Sequence, residues 1–323
     1  MTALVVLVQI VLPLGLLGWF TLFPAGSVLG WLVQSIGMAA MLFALARIAQ
    51  WALPVWWLPL VYAALWAIIS VWGLLGLPAK PFLPAAGYSW VSLAISAGFL
   101  VVGGWFGVQA LNARALPPVE VIDIANPFGP GHCLVGHGGS NRLVNGHMRT
   151  LDASVERFKA WRGQSYGVDF FGLGAWGFHA RGWRPADPTA YAIFGARLHA
   201  PCDGTVVAAE GSQPDFRVPD QDPINRPGNH VILRCGAVEI VFAHMRQGSL
   251  TVTLGQSVTT GNLLGEVGNS GATTEPHLHI HAQRPGTQDA PISGEPLALR
   301  VAGLWLVRGD RLQGRWPTVG STP

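Results

Sequence analysis

Apolar residues are distributed along this chain in two different ways. Through residues 1–112 they run almost unbroken, in four stretches at about 3–23, 28–49, 52–77 and 88–111. Each stretch is long enough to cross a hydrocarbon layer of ~30 Å as a helix rising 1.5 Å per residue. None carries the polar stripe that a helix in a water-soluble core would show. The pattern predicts four transmembrane helices, with Trp51, Trp56, Trp57, Trp90 and Trp105 near their ends at the headgroup level. The first run has no basic start and further membrane-length runs follow it, so it reads as an anchor rather than a cleaved signal peptide.

From Pro117 the texture changes to short apolar alternations cut by Gly, Pro, Asn and Asp. Residues 204–209, 230–234, 238–243 and 277–282 alternate with a period of two and predict strands, with Cys235-Gly236-Ala237-Val238 as a hairpin turn. A helical period is absent after residue 117, except that 151–161 predict one short helix. The expected organisation is a four-helix transmembrane domain over 1–112, a mostly antiparallel all-β domain over 117–300, and a C-terminal tail over 301–323.

Charge sharpens this division. Arg47 and Lys80 are the two charged side chains before residue 113. The front half has no Asp, Glu or His to mark a transport path, so it reads as an anchor in a lipid bilayer. A net charge of +3, without a Lys/Arg block or basic residues interleaved with aromatics, argues against nucleic acid as a partner. With four crossings both termini share a side; Arg47 and Arg114 then lie with the β domain and Lys80 opposite. That count leans toward a cytoplasmic β domain. Three cysteines without a C-x-x-C speak against thiol ligation of a metal. Cys202 and Cys235, at the edges of extended runs, are either bridged or, like Cys133, buried thiols.

Candidate chemistry collects in the second half. His277 and His279 flank Leu278, and residues i and i+2 of a strand share a face, so two imidazoles stand together; His281 shares that face. His244 ends an apolar run. Asp169 sits inside another, where a carboxylate must be paired, hydrogen-bonded or on a metal. Taken singly, each has an ordinary reading as a satisfied core or edge residue.

Their order and context resemble the lysostaphin-like, LytM-type zinc endopeptidases of bacterial cell walls. The resemblance runs from about Asn126 to Gln283. It is carried by Gly167-Val168-Asp169, Ala200-Pro-Cys-Asp-Gly-Thr-Val, Gly228-Asn-His-Val-Ile-Leu, Phe242-Ala-His244, Gly255-Gln-Ser-Val-Thr-Thr-Gly and Gly268-Asn-Ser-Gly-Ala-Thr-Thr-Glu-Pro-His277-Leu-His279. It implies a lysostaphin-like β fold, a Zn2+ cofactor and hydrolysis of peptide bonds in peptidoglycan. It further implies Asp169 and His279 as zinc ligands, and His244 and His277 as catalytic histidines outside the metal's coordination sphere. The family's remaining ligand is a His four residues before the Asp, where this chain has Ser165.

Two readings follow from that departure. In one the site is degenerate and the protein is an inactive relative that binds wall or activates a wall amidase. In the other a histidine from elsewhere completes the metal site. His147 is the candidate, because a membrane-anchored branch of the family is similar here, with Asn-x-His (Asn145, His147) upstream of Gln-x-Tyr-x-x-Asp (Gln164, Tyr166, Asp169). His147 is expected on a strand paired antiparallel with that of Asp169; His137 and His179 are fallback ligands. The expectation is therefore a multi-pass plasma-membrane metallopeptidase with its catalytic domain extracytoplasmic, acting on wall peptides, with a membrane- or wall-associated protein partner left unidentified.

Overall fold

The computed structural model describes residues 2–85 and 87–314. The chain divides into two compact units, Met1–Asn112 and Ala113–Pro323.

Among the described residues, the first unit has four helices long and apolar enough to cross a membrane: Ala3–Leu22, Val28–Ile48, Leu58–Leu75 and Gly87–Asn112. The widened turn Leu7–Val11 in the first helix accommodates Pro13, which has no N–H to give the preceding turn. Ser27 caps the second helix by accepting the Gly30 N–H at 3.0 Å. The third begins later than its apolar run because Pro54 falls in the run and the helix starts only at Leu58, with Pro59 in its first turn. Gln34 satisfies the loop before the second helix, accepting from Ala25 N–H at 3.1 Å and donating to the Phe23 carbonyl at 3.0 Å. The second and fourth helices approach closely at glycines. A Cβ on Gly37 would stand 2.6 Å from the Ser96 carbonyl oxygen, and one on Gly103 2.5 Å from the Met41 nitrogen. Leu60, Ile68, Val71 and Trp72 of the third helix are exposed, an apolar surface suited to lipid.

The second unit is mostly antiparallel β. Its strands are β1 (Val121–Ile124), β2 (Gly131–His137), β3 (Val168–Leu173), β4 (Arg197–His199), β5 (Gly204–Glu210), β6 (Asn229–Cys235) and β7 (Val238–Met245). They continue with β8 (Ser257–Val258), β9 (Leu263–Glu266), β10 (Leu278–Gln283), β11 (Pro296–Val301), β12 (Leu304–Trp305) and β13 (Arg311–Gly314). The main sheet runs β13-β2-β3-β10-β7-β6-β5-β8; β4 and β9 form a separate pair. β1 and β11 make the one parallel pairing among these strands. Strand alternation builds the core: Leu278, Ile280 and Ala282 of β10 point into it beside Phe170 and Phe242. The opposite face of β10 carries His279, His281 and Gln283 and is buried too, since the turn Arg162–Tyr166 is fastened over it by Gly163 N–H on the Ile292 carbonyl at 2.9 Å.

Cys202 and Cys235 are disulfide-bonded, with Cα atoms 6.1 Å apart, tying the approach to β5 to the end of β6. Cys133 is a free, buried thiol whose pKa is pushed up to about 12 by burial.

Two local expectations are corrected. His147 lies in a 3-10 turn, Gly146–Leu151, rather than on a strand paired with β3; the strands beside β3 are β2 and β10, and β2 puts His137 opposite Asp169. Ser165 lies in the 3-10 turn Arg162–Tyr166, which ends before β3 begins. The segment from Val301, set apart in the sequence as a tail, continues into β12 and β13, and β13 pairs with β2; residues 315–323 lie outside the described residues. The short helix within 151–161 is Glu156–Lys159.

Candidate metal centre

β3 and β10 are antiparallel neighbours with Asp169 directly opposite His279, so their side chains rise from the same face. Asp169 Oδ1 lies 2.9 Å from His279 Nδ1, and Oδ2 lies 3.0 Å from His147 Nε2. The turn carrying His147 is held by Asn145, which is fully buried. Asn145 Oδ1 accepts the His147 N–H, and its amide donates to the Gly139 and Gly167 carbonyls, all at 3.1 Å. The Thr150 hydroxyl donates to the His147 carbonyl at 2.8 Å and closes the turn. Gly167 leaves room for the imidazole: a Cβ there would stand 2.6 Å from His279 Cε1. One donor atom from each of His147, Asp169 and His279 lies within 4.8 Å of the others. A tetrahedral zinc with ligands at 2.0–2.2 Å sets them roughly 3.3 Å apart, so small adjustments suffice.

Hydrogen-bond direction supports a cation at this point. Arg234 donates to Glu239 Oε1 at 2.6 Å. Gln283 Nε2 donates to Glu239 Oε2 at 3.2 Å and to the Pro291 carbonyl at 2.6 Å. With two acceptors on that side, the amide oxygen faces His281 Nε2, 3.4 Å away, so Nε2 carries a proton. Burial pushes the His281 pKa well down, which leaves the ring neutral and its Nδ1 bare. That Nδ1 accepts Nε2–H of His279 at 2.9 Å. His279 is held near 4, chiefly by burial, so it too is neutral. Its Nδ1 then turns a lone pair toward the Asp169 carboxylate, an arrangement that a cation reconciles. Two imidazoles and a carboxylate are a zinc donor set, and a ligand imidazole held through its other nitrogen is the usual companion. Burial alone would raise the Asp169 carboxyl; His147 and His277 nearby outweigh it and hold the group well below the usual range.

Two further histidines flank this cluster. His277 Nδ1–H donates to the Glu275 carbonyl at 2.9 Å, which leaves Nε2 facing the site, 3.8 Å from Asp169 Oδ1. His244 Nδ1–H donates to the Ser270 carbonyl at 2.9 Å, and its ring centroid is 4.8 Å from that of His277. A bulge brings His244 there. Ala243 and His244 together oppose His230 where the β6–β7 register slips, and His244 has φ 63°. That left-handed conformation costs about 1 kcal/mol or more for a residue with a Cβ. It is fixed by the His244 N–H on the Pro227 carbonyl and the Gly268 N–H on the His244 carbonyl, both 2.9 Å. Burial, with His277 and His279 nearby, keeps the His244 pKa well below its ordinary value.

Residues 189–291 match the model of peptidase family M23. That match falls within the β-rich unit. Among solved structures the chain is similar to the catalytic domain of the antimicrobial peptidase lysostaphin from Staphylococcus simulans, at 22% identity over 39% of this chain and 71% of that one, with a TM-score of 0.26. It is also similar to a zinc-containing peptidase from Vibrio cholerae, at 18% identity over 47% of this chain and 30% of that one, with a TM-score of 0.24. No curated protein matches the chain.

The segment that matches the M23 model contains His244, His277 and His279 and begins beyond His147 and Asp169. Within the domain the other histidines have different partners. His137 Nδ1 accepts the Gly146 N–H at 3.0 Å and lies 3.1 Å from Arg308, and burial drives its pKa to about 3. It supports the His147 turn. His179 is 3.3 Å from Glu275, and His230 Nδ1–H donates to the Gly228 carbonyl at 2.9 Å. Ser165 turns away from the cluster: its hydroxyl donates to the Arg162 carbonyl at 2.6 Å and lies 2.8 Å from that of Thr150. Sequence reasoning gave no role to Gln283, Glu239 or Arg308. The i, i+2, i+4 run His279-Ile280-His281-Ala282-Gln283 was the available signal, since three polar residues on a buried face must bond one another.

Proposed function

We propose that the β-rich unit is an M23-type zinc endopeptidase that hydrolyses peptide bonds of bacterial peptidoglycan, tethered to the plasma membrane by the four N-terminal helices with the domain extracytoplasmic. The observation that carries this reading is the convergence of His147, Asp169 and His279, with His244 and His277 alongside. Zinc held by the three would supply Lewis-acid polarisation of the scissile carbonyl and acidify water toward a pKa of about 7.

The chain's own residues do the rest. With Nδ1–H on the Glu275 carbonyl, His277 offers a bare Nε2 to take a proton from water at the site. His244 is oriented in the same way by the Ser270 carbonyl. Whichever ring holds the proton becomes a donor at Nε2, able to hydrogen-bond the carbonyl oxygen as it gains charge. The inactive-relative reading drew on Ser165; His147, 3.0 Å from Asp169, supports an enzyme instead. The Cys202–Cys235 bridge favours an oxidising compartment and outweighs a basic-residue count of two against one.

The full chain in detergent should release new amino groups from purified peptidoglycan, stop on chelation and resume on adding zinc. External protease should remove the domain from intact spheroplasts. Zinc-loaded protein that opens no peptide bond would leave only a binding role, and complete protection of the domain would defeat the wall substrate.

A further inference from the structure

Beside His147 lies a cleft of about 610 Å³ with basic walls. One wall is the segment that carries His147, with Arg149, Arg157 and Trp161; the other is the loop ending at Arg226. Both walls are built into the site. The Arg149 wall shares its 3-10 turn with His147. The Arg226 loop continues into Pro227, whose carbonyl holds the His244 N–H at 2.9 Å, and the Arg226 carbonyl accepts the Ala272 N–H at 2.8 Å.

All three arginines are exposed. Arg226 lies over the Trp161 ring, 5.8 Å from its centroid, and Arg157 over Phe158 at 5.1 Å. None of the three forms an ion pair among the described residues. No carboxylate lines the cleft, and the acids nearest in sequence are engaged elsewhere. Glu156 pairs with Lys159 at 2.6 Å. Asp152 accepts from Ser154 at 2.6 Å, and Asp222 from the Ile224 N–H at 2.8 Å and the Asn225 amide at 2.8 Å. Three planar guanidinium groups without counter-ions suit carboxylates, which they can bind in bidentate fashion. Gln164, on the same cleft, can both donate to and accept from a peptide backbone.

We propose that this cleft is a specificity subsite for acidic peptides, holding free carboxylates of the substrate on Arg149, Arg157 and Arg226 while the chain passes His147. The inference rests on the endopeptidase reading for what the bound peptide is used for. Its binding arm does not need turnover.

The test uses full-length protein in neutral detergent and two short peptides bearing an uncharged fluorophore, one with two glutamates and one with two glutamines in their place. Anisotropy should show the acidic peptide binding about tenfold tighter or better, a preference that fades as salt screens exposed charge. Arg149→Gln/Arg157→Gln/Arg226→Gln should bring the two peptides within about twofold while leaving zinc content unchanged, and the triple Lys variant should keep part of the preference. Asp169→Ala, which removes zinc, should keep the preference. Failure of the endopeptidase reading would therefore leave this result standing. Equal binding of the two peptides by the wild type would overturn the proposal. So would a preference that survives the triple Gln change, or displacement of the acidic peptide by phosphate-rich polymer or anionic vesicles at equal charge.

Discussion

His147→Ala should leave the protein without stoichiometric zinc. The sequence around Asp169 lacks the histidine four residues earlier, and Asp169 with His279 alone gives a metal only two protein ligands, too few for a stable tetrahedral site. His147 is placed to make up the third, from a turn rather than from a strand. The turn is firmly held, because Asn145 is fully buried and spends all three of its side-chain hydrogen bonds on the backbone around it. Elemental analysis of the dialysed variant should give below about a tenth of the wild-type zinc, as expected when one of three ligands is deleted from a preorganised site. Ser165→His in the same background should not restore it. Ser165 is fully buried, and its hydroxyl faces the Arg162 carbonyl and Thr150 instead of Asp169. Full zinc in His147→Ala would show that the third ligand is another group.

His277→Ala and His244→Ala should keep zinc and lose turnover. Each ring is oriented through Nδ1 by a backbone carbonyl and presents Nε2 to the site. His277 comes no nearer than 3.8 Å to Asp169 Oδ1, against 2.9 Å for His279. Removing a general base or an oxyanion donor lowers turnover by about 10²–10⁴-fold. Rates of amino-group release set beside zinc content separate this outcome from its opposite. If His277→Ala shed zinc as readily as His279→Ala, the roles within the pair would be reversed.

Much of this architecture was legible in the residues, for identifiable reasons. The four apolar helices followed from run length and absence of charge, and β5, β6, β7 and β10 from period-two alternation. His279 and Asp169 could be read together because each is a polar residue in an apolar strand that must be satisfied. What the sequence hid was tertiary. Nothing local in Gly146–Leu151 says that it forms a 3-10 turn reaching the Asp169 strand. The expected strand pairing named the wrong neighbour for β3, and the place is taken by β2 with His137. Segment 301–314 looked like a thinning tail because its strands are short. It is held by pairing with β2 and by Arg308, which donates to the Gly136 carbonyl at 2.8 Å. The bulge at His244 was also invisible, since a non-glycine residue gives no compositional sign that φ will be positive.

Anomalous diffraction at the zinc edge from crystals of the zinc-loaded full chain tests the centre most directly. One peak is expected, about 2.0–2.2 Å from His147 Nε2, a carboxylate oxygen of Asp169 and His279 Nδ1, with His277 and His244 outside bonding distance. A peak held by His137 or His277 in place of His147, or no peak beside Asp169, would contradict it.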